Sequence, residues 1–272
     1  MRVRIVDAFT DRAFAGNPAG VCVLEAGDWP DAAWMQQLAG ELALPMTAFA
    51  RPQGDGVWGL RWFTPRIEER LCGHATLATA FVLGGALTFE TLGGELRASV
   101  AGDGVVTLDF PAAELRPRGP VAGLAEALGA EPVEVVETVA PHDLLALLAD
   151  EDAVRGLEPR LDGLAAIQKR EGLRLIIVTA PGADCDFVSR VFSPADGIPE
   201  DPVTGSAHCA LAPYWAGRLG GTEHVGHQAS ERGGVVRTEL AGNRVLLSGR
   251  AVTVLDGELS SAGTPHDQGA RG

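Results

Sequence analysis

Lysine is nearly absent. Lys169 is the one lysine in 272 residues, so a Schiff-base mechanism would rest on a single side chain in the charged stretch "QKREG", read here as a loop, and is set aside. Positive charge in general is scarce: 22 Lys and Arg stand against 36 Asp and Glu, for a formal net charge of -14. Such a surface repels phosphate backbones, which argues against nucleic acid as a partner. No apolar run is long enough to cross a bilayer, and the opening "MRVRIVDAFT" lacks the apolar stretch of a signal peptide. The expectation is a cytoplasmic protein with no membrane partner. The four cysteines, Cys22, Cys72, Cys185 and Cys209, are widely spaced with no CxxC, which suggests reduced thiols and not a disulfide framework or a zinc knuckle. No GxGxxG opens a helix, and neither GxxxxGK[ST] nor GxSxG occurs. No cofactor is expected. No metal is expected either: His224 and His227 in "EHVGH" have no acidic or cysteine partner at ligand spacing and read as a solvated loop.

What is present is a globular composition, with 46% hydrophobic and 21% charged residues, in a chain long enough for two domains. The chain also repeats itself. "RWFTP" (61–65) is echoed by "RVFSP" (190–194), "CGHATLATAFVLGG" (72–85) by "TGSAHCALAPYWAG" (204–217), and "GELRASVAGDGVVTL" (94–108) by "GVVRTELAGNRVLLS" (234–248). Three matches in the same order point to a duplication. The expected fold class is α+β, in two similar halves, each with a buried apolar helix. The expected boundaries are 1–115 and 116–260, with a linker in "FPAAELRPRGP" (110–120) and a flexible tail over 261–272.

Within each half the pattern reads as strands, a helix and a hairpin. "RVRIVDAF", "GVCVLEA" and "LRWFT" alternate as strands do, and Cys22 reads as a small core residue. "DAAWMQQLAGEL" (31–42) reads as an amphipathic helix capped by Asp31. The stretches 73–86 and 205–218 are apolar nearly all round, as a buried helix is. Gly-Asp-Gly and Gly-Asn mark hairpin turns in the third repeated segment.

The paired helix starts carry the chemistry. A helix N-terminus presents unpaired N–H groups and the positive end of the macrodipole, which suits a carboxylate and raises the thiolate fraction of a nearby cysteine. The repeat sets Cys72-Gly73-His74 at one start and Thr204-Gly205-Ser206 at the other. The expectation is that both starts face a common cleft that holds a small anionic substrate, with Cys72, His74 and Asp201 as proton-moving groups. The plain readings are that "CGH" is a tight strand-to-helix turn, that Asp201 and Thr204 are caps, and that His208 and Cys209 only pack.

With these residues in view, the chain resembles the PhzF-like phenazine-biosynthesis family, which is related to diaminopimelate epimerase and proline racemase. The resemblance rests on "VDAFTDRAFAGNPAGV" (6–21), "FTPRIEERLCGHATLATA" (63–80) and "SRVFSPADGIPEDPVTGSAHCALA" (189–212). It implies a diaminopimelate epimerase-like fold with two pseudo-twofold-related domains, each a curled mixed sheet around a central apolar helix, an active site between them, cofactor-independent acid–base isomerisation in biosynthesis, and a homodimer. It implies that His74 is the active-site histidine, that Asp201 and Ser206 are the aspartate and serine of an "EDPxTGS" motif, that Gly73 and Gly205 offer their amides to substrate, and that Asn17 lies near the site. One position departs from the pattern. Met46, in "LPMTAF", stands where the family has a glutamate, and a thioether carries no proton. Three readings follow: Cys72 takes over as the acid–base group, Asp201 and His74 act together, or the protein binds a small acid without turning it over. A lone thiol opposite Thr204 suits a double-bond shift or loss of water from a hydroxylated amino acid better than racemisation, which needs a base on each face.

Overall fold

The computed structural model describes residues 1–260 together with 263 and 264. The expected flexible tail over 261–272 lies, apart from those two residues, outside the described ones. In chain order the elements are β1 (Arg2–Ala8), β2 (Asn17–Val23), α1 (Ala32–Leu42), β3 (Met46–Gly54), β4 (Val57–Phe63), β5 (Glu68–Glu69), α2 (Gly73–Leu83), β6 (Ala86–Thr91), β7 (Gly94–Val100) and β8 (Val106–Pro111). Then follow β9 (Leu115–Arg118), α3 (Leu124–Leu128), β10 (Glu134–Thr138), β11 (Leu144–Leu147), α4 (Glu151–Arg155), α5 (Leu161–Glu171), β12 (Ile176–Pro181), β13 (Phe187–Ser193), β14 (Ile198–Asp201), α6 (Gly205–Leu219), β15 (Glu223–Gln228), β16 (Gly234–Ala241), β17 (Arg244–Gly249) and β18 (Ala251–Glu258).

These elements form two compact units. One holds residues 1–14, 18–108 and the chain from Arg250 onward; the other holds 15–17 and 109–249. The division differs from the expected 1–115 and 116–260. The reason is a strand pairing: β18 runs antiparallel to β1, from Arg2 opposite Glu258 to Ala8 opposite Ala251. The last strand among the described residues is therefore a strand of the first unit. Nor is 110–120 a free linker. It contains the end of β8 and all of β9, and the amides of Ala112 and Ala113 donate to Asn243 and Cys209 carbonyls.

Strand pairing shows the duplication more clearly than the sequence does. In the first unit β18 and β1 are antiparallel, β1 pairs β2, β2 and β3 are parallel, and β3 and β4 are antiparallel. Then β4 takes β5 antiparallel and β6 parallel, and β6 pairs β7 antiparallel. In the second unit β9, β10 and β11 pair in turn, β11 and β12 are parallel, and β12 and β13 are antiparallel. Then β13 takes β14 antiparallel and β15 parallel, and β15, β16 and β17 follow antiparallel. The same series occurs twice, and each half places its apolar helix between the sixth strand of the series and the seventh.

The helices α2 and α6 have little to distinguish one face from another because both are enclosed over most of their length. From Gly73 to Ala80 every residue of α2 is buried, and the helix packs on β1, β3, β7 and β18. It ends at Leu83, short of the expected residue 86, because Gly84 turns the chain at φ 74°. Helix α6 packs on β9, β15, β16 and β17. In the second unit the strands bury both faces. Leu145, Leu147, Ile177, Phe187 and Val191 meet Ala207, Leu211 and Trp215 of α6. Their neighbours Leu144, Ala146, Ile176, Val178, Val188 and Phe192 meet Leu124, Leu128, Val154, Leu164 and Ile167 of α3, α4 and α5 on the other side. Side chains alternate across a strand, so a sheet covered on both faces gives an unbroken apolar run, as "LIIV" (175–178) is.

Two local expectations change. "QKREG" is the last turn of α5 and its Gly172 cap, so Lys169 sits on a helix. "EHVGH" lies in β15 and not in a solvated loop. His224 is buried there, with its Nε2 against the Gly220 carbonyl at 3.0 Å. Asp31 does cap α1, accepting from the Ala33 amide.

Candidate active site

The second unit supplies a carboxylate with fixed partners. Pro202 cannot donate to a ladder, so β14 stops at Asp201, and three residues later Thr204 precedes α6 in an extended conformation. The hydroxyl of Thr204 does not cap the helix. It donates to Asp201 Oδ2 at 2.6 Å. Asn17, which has no exposure, donates from Nδ2 to Asp201 Oδ1 at 2.7 Å and to the Val203 carbonyl at 2.8 Å. The plain reading of Asp201 and Thr204 as caps is thus replaced: the two side chains are bonded to each other, and side-chain capping leaves the first-turn amides of α6 untouched. Burial pushes the Asp201 carboxyl up to about 6, with the Thr204 and Asn17 donors and the Arg174 charge opposing it. A group that titrates there exchanges protons readily near neutral pH.

Three residues that sequence reasoning missed hold this arrangement. Gln228, the fully buried end of β15, accepts from the Thr204 amide at 2.8 Å and donates to the Asp201 carbonyl at 2.7 Å. Arg174 makes a two-pronged pair with buried Asp143 and donates from Nη1 to Ser206 Oγ at 3.0 Å. Arg232 donates to the carbonyls of Gly16 and Ala15, which places the segment carrying Asn17. A cation just ahead of an apolar strand was a visible signal for Arg174. A single glutamine at a strand end carried none.

The first unit supplies the second set. Cys72 is the extended residue before α2 and makes no side-chain cap. Its Sγ lies 3.4 Å from His74 Nδ1, and both residues are buried. Burial lowers His74 to about 4, so the imidazole is neutral at pH 7. Its Nε2 is enclosed with no hydrogen-bond partner among the described residues. Met46 opens β3, opposite Ala19 of β2, with its thioether buried. Cys72, Gly73 and His74 are thus together at one helix start, and Asn17, Asp201, Thr204, Gly205 and Ser206 at or beside the other. His208 and Cys209 are packing residues, as the plain reading held: both are buried, and His208 Nδ1 lies 2.9 Å from the Thr204 carbonyl.

These groups make stability depend on pH in a defined way. His74 and His208 both fall from 6.5 to about 4 on folding, so the unfolded chain takes up protons first as the pH drops. Each contributes ~3 kcal/mol that is complete above pH 6.5 and lost on the way down to about 4. Asp201 works the other way, since its folded value near 6 lies above 3.8. It offsets part of the loss between about 6 and 3.8. Denaturant unfolding at a series of pH values should show stability falling from pH 6.5 to 4, and falling more steeply in Asp201→Asn. A parallel fall in the two proteins would contradict the assignment.

Comparison with known proteins agrees with this architecture. A family model described as phenazine biosynthesis-like protein, PhzC-PhzF, matches residues 6–257. An uncharacterized isomerase of Halalkalibacterium halodurans is 43% identical over 268 residues, covering 94% of this chain and 97% of that one. The crystal structure of a PhzF-family phenazine biosynthesis protein of Enterococcus faecalis matches with a TM-score of 0.89 at 40% identity, over 95% of this chain and 98% of that one. A probable proline racemase of Agrobacterium radiobacter shares the fold at 13% identity, with a TM-score of 0.61 over 98% of this chain and 94% of that one. The α+β fold expected from the repeats, and the diaminopimelate epimerase-like form of it implied by the resemblance, is therefore the fold found, and relatives named as isomerases support an isomerase-type enzyme. With nearly its whole length matched, the chain belongs to the phenazine biosynthesis-like, PhzC-PhzF, protein family.

Proposed function

We propose that the protein is a cofactor-independent isomerase that moves a proton, and with it a double bond, in a small carboxylic acid or cyclic amino acid. The observation that carries this reading is Asp201: a half-buried carboxylate, bonded on both oxygens, whose titration near 6 lets it both take and return a proton. In the step proposed, the carboxylate removes a proton from a carbon next to an acid or allylic group. The electron pair left behind delocalises, and the proton returns to the far carbon of the allylic system. The double bond shifts and nothing is oxidised or reduced. The first-turn amides of a helix stabilise the charge that develops on the substrate's own carboxylate, and Ser206 is the hydroxyl beside them. Cys72 and His74 form the second proton-handling set.

A rival reading is binding without turnover, and Met46 is the observation that favours it. Incubation in D₂O with a panel of unsaturated cyclic amino acids and hydroxyprolines separates the two. Deuterium entering a substrate, seen by mass spectrometry, supports the isomerase. Exchange lost in Cys72→Ala makes the thiol an acid–base group, whereas exchange that persists leaves the work to Asp201 and His74. Tight binding with no exchange across the panel sinks the isomerase reading.

A further inference from the structure

The side-chain amide of Gln228 has an orientation fixed by backbone groups whose polarity is not in doubt. The Thr204 N–H can only donate, so it faces Oε1; the Asp201 carbonyl can only accept, so it faces Nε2. Nε2 therefore also donates to Thr204 Oγ1, at 3.1 Å. A hydroxyl that accepts from this amide has its own hydrogen free for one partner, and Asp201 Oδ2 lies at 2.6 Å. The same logic holds on the other oxygen. The Val203 carbonyl fixes Asn17 Nδ2 as the donor to Oδ1. Both carboxylate oxygens are thus met by donors, an arrangement that favours the ionised form against the burial that opposes it.

We propose that Gln228 is a positioning residue for Asp201: by holding the Thr204 hydroxyl as a donor, it keeps the carboxylate ionised in the resting protein and ready to accept a proton. This rests on the reading of Asp201 as the acid–base group. The arrangement is specific to polarity. Gln228 has no exposure and makes three bonds to the Asp201–Thr204 segment, and none of these touches the carboxylate itself. Its effect must pass through the hydroxyl. Other groups near Asp201 are accounted for separately. Arg174 ahead of β12 favours the charged form and Glu200 on β14 disfavours it. Glu200 is itself paired with Arg190 of β13. His208 of α6 is neutral above about pH 4 and bonds to the Thr204 carbonyl.

The test is a pH titration of the resting protein carrying ¹³C-carboxyl aspartate, followed by NMR, with Asp201→Asn to assign the signal. Gln228→Met keeps the length and removes the donor. It is expected to raise the Asp201 titration by about one unit, the worth of one hydrogen bond that favours a charge. Thr204→Val removes the hydroxyl and is expected to do the same, and the double variant should add nothing to Thr204→Val. The base-limited limb of the exchange profile should move up with the titration. A folded Gln228→Met with an unmoved Asp201 signal overturns the proposal, as does a double variant whose two shifts add. If Gln228→Met does not fold, Thr204→Val decides alone, and an unmoved signal there overturns it as well. The titration reads Asp201 without turnover, so the two readings fail separately. A shifted signal with exchange surviving in Asp201→Asn sinks the catalytic role, and an unshifted signal with exchange lost in Asp201→Asn sinks the part given to Gln228.

Discussion

Asp201→Asn is expected to cut deuterium exchange into substrate by about 10²–10⁴-fold, the usual worth of one positioned acid–base group. The substitution is nearly isosteric, so the argument turns on protons alone. An amide oxygen still accepts from Asn17. On the other side the amide nitrogen now donates, and the Thr204 hydroxyl, which already accepts from Gln228, must turn its hydrogen away from residue 201. The loop keeps its backbone bonds, since Gln228 holds the Asp201 carbonyl and the Thr204 amide and Ser230 holds the Pro202 carbonyl. Substrate affinity should therefore change much less than turnover. Single-turnover exchange measured by mass spectrometry, beside binding by calorimetry, checks both. Undiminished exchange in a folded Asp201→Asn protein would remove Asp201 from the chemistry and leave Cys72 and His74 to carry it.

The sequence revealed the fold through its repetition. Strand order could not be read from alternation, yet three ordered echoes were enough to expect two like halves, and the pairing series repeats accordingly. The domain boundary failed because nothing local marks β18 as a partner of β1. "AVTVLDGE" is an alternating strand like any other, and its register with Arg2–Ala8 exists only once the chain has returned across some 250 residues. "QKREG" and "EHVGH" were misjudged for a simpler reason. Charge and histidine in a sequence point to solvent, but a helix end tolerates the first and an alternating strand face conceals the second.

The candidate site was legible where chemistry is unusual in type and illegible where it is unusual only in place. Cysteine and histidine at an apolar helix start, or two acids and two prolines before another, are visible in a string of letters. Gln228 and Asp143 are ordinary residues that become informative through burial: a glutamine with no exposure must satisfy its amide, and it does so on the loop that carries Asp201. Met46 was read as a departure. Its burial in β3 shows a side chain well accommodated there, with no proton to offer.

Trp215→Ala should have the largest effect on stability, about 3–5 kcal/mol for the second unit. The indole is 2% exposed in the C-terminal half of α6. It stacks on Phe187 with centroids 5.7 Å apart and planes at 4°, meets Tyr214 edge-on at 5.5 Å, and donates from Nε1 to Thr179 Oγ1 at 3.1 Å. Removal leaves a hole that the neighbours cannot close easily. The Phe187 ring is packed closely against Gly226, where an added Cβ would lie 2.4 Å from the ring. The lost indole donor costs less, since the Thr179 hydroxyl keeps its own bond to the Val188 carbonyl at 2.7 Å. Trp215→Phe retains the stacking surface and should lose much less. In urea, followed by circular dichroism, the midpoint for the second unit should fall by about 2 M in Trp215→Ala, given a slope of roughly 2 kcal/mol/M. A shift no larger than that of a surface substitution would mean that the core on this face of the sheet does not depend on the stack. The consequence would reach the site, because Phe187 also lies 5.9 Å from His208, one turn into the helix whose first residues stand beside Asp201.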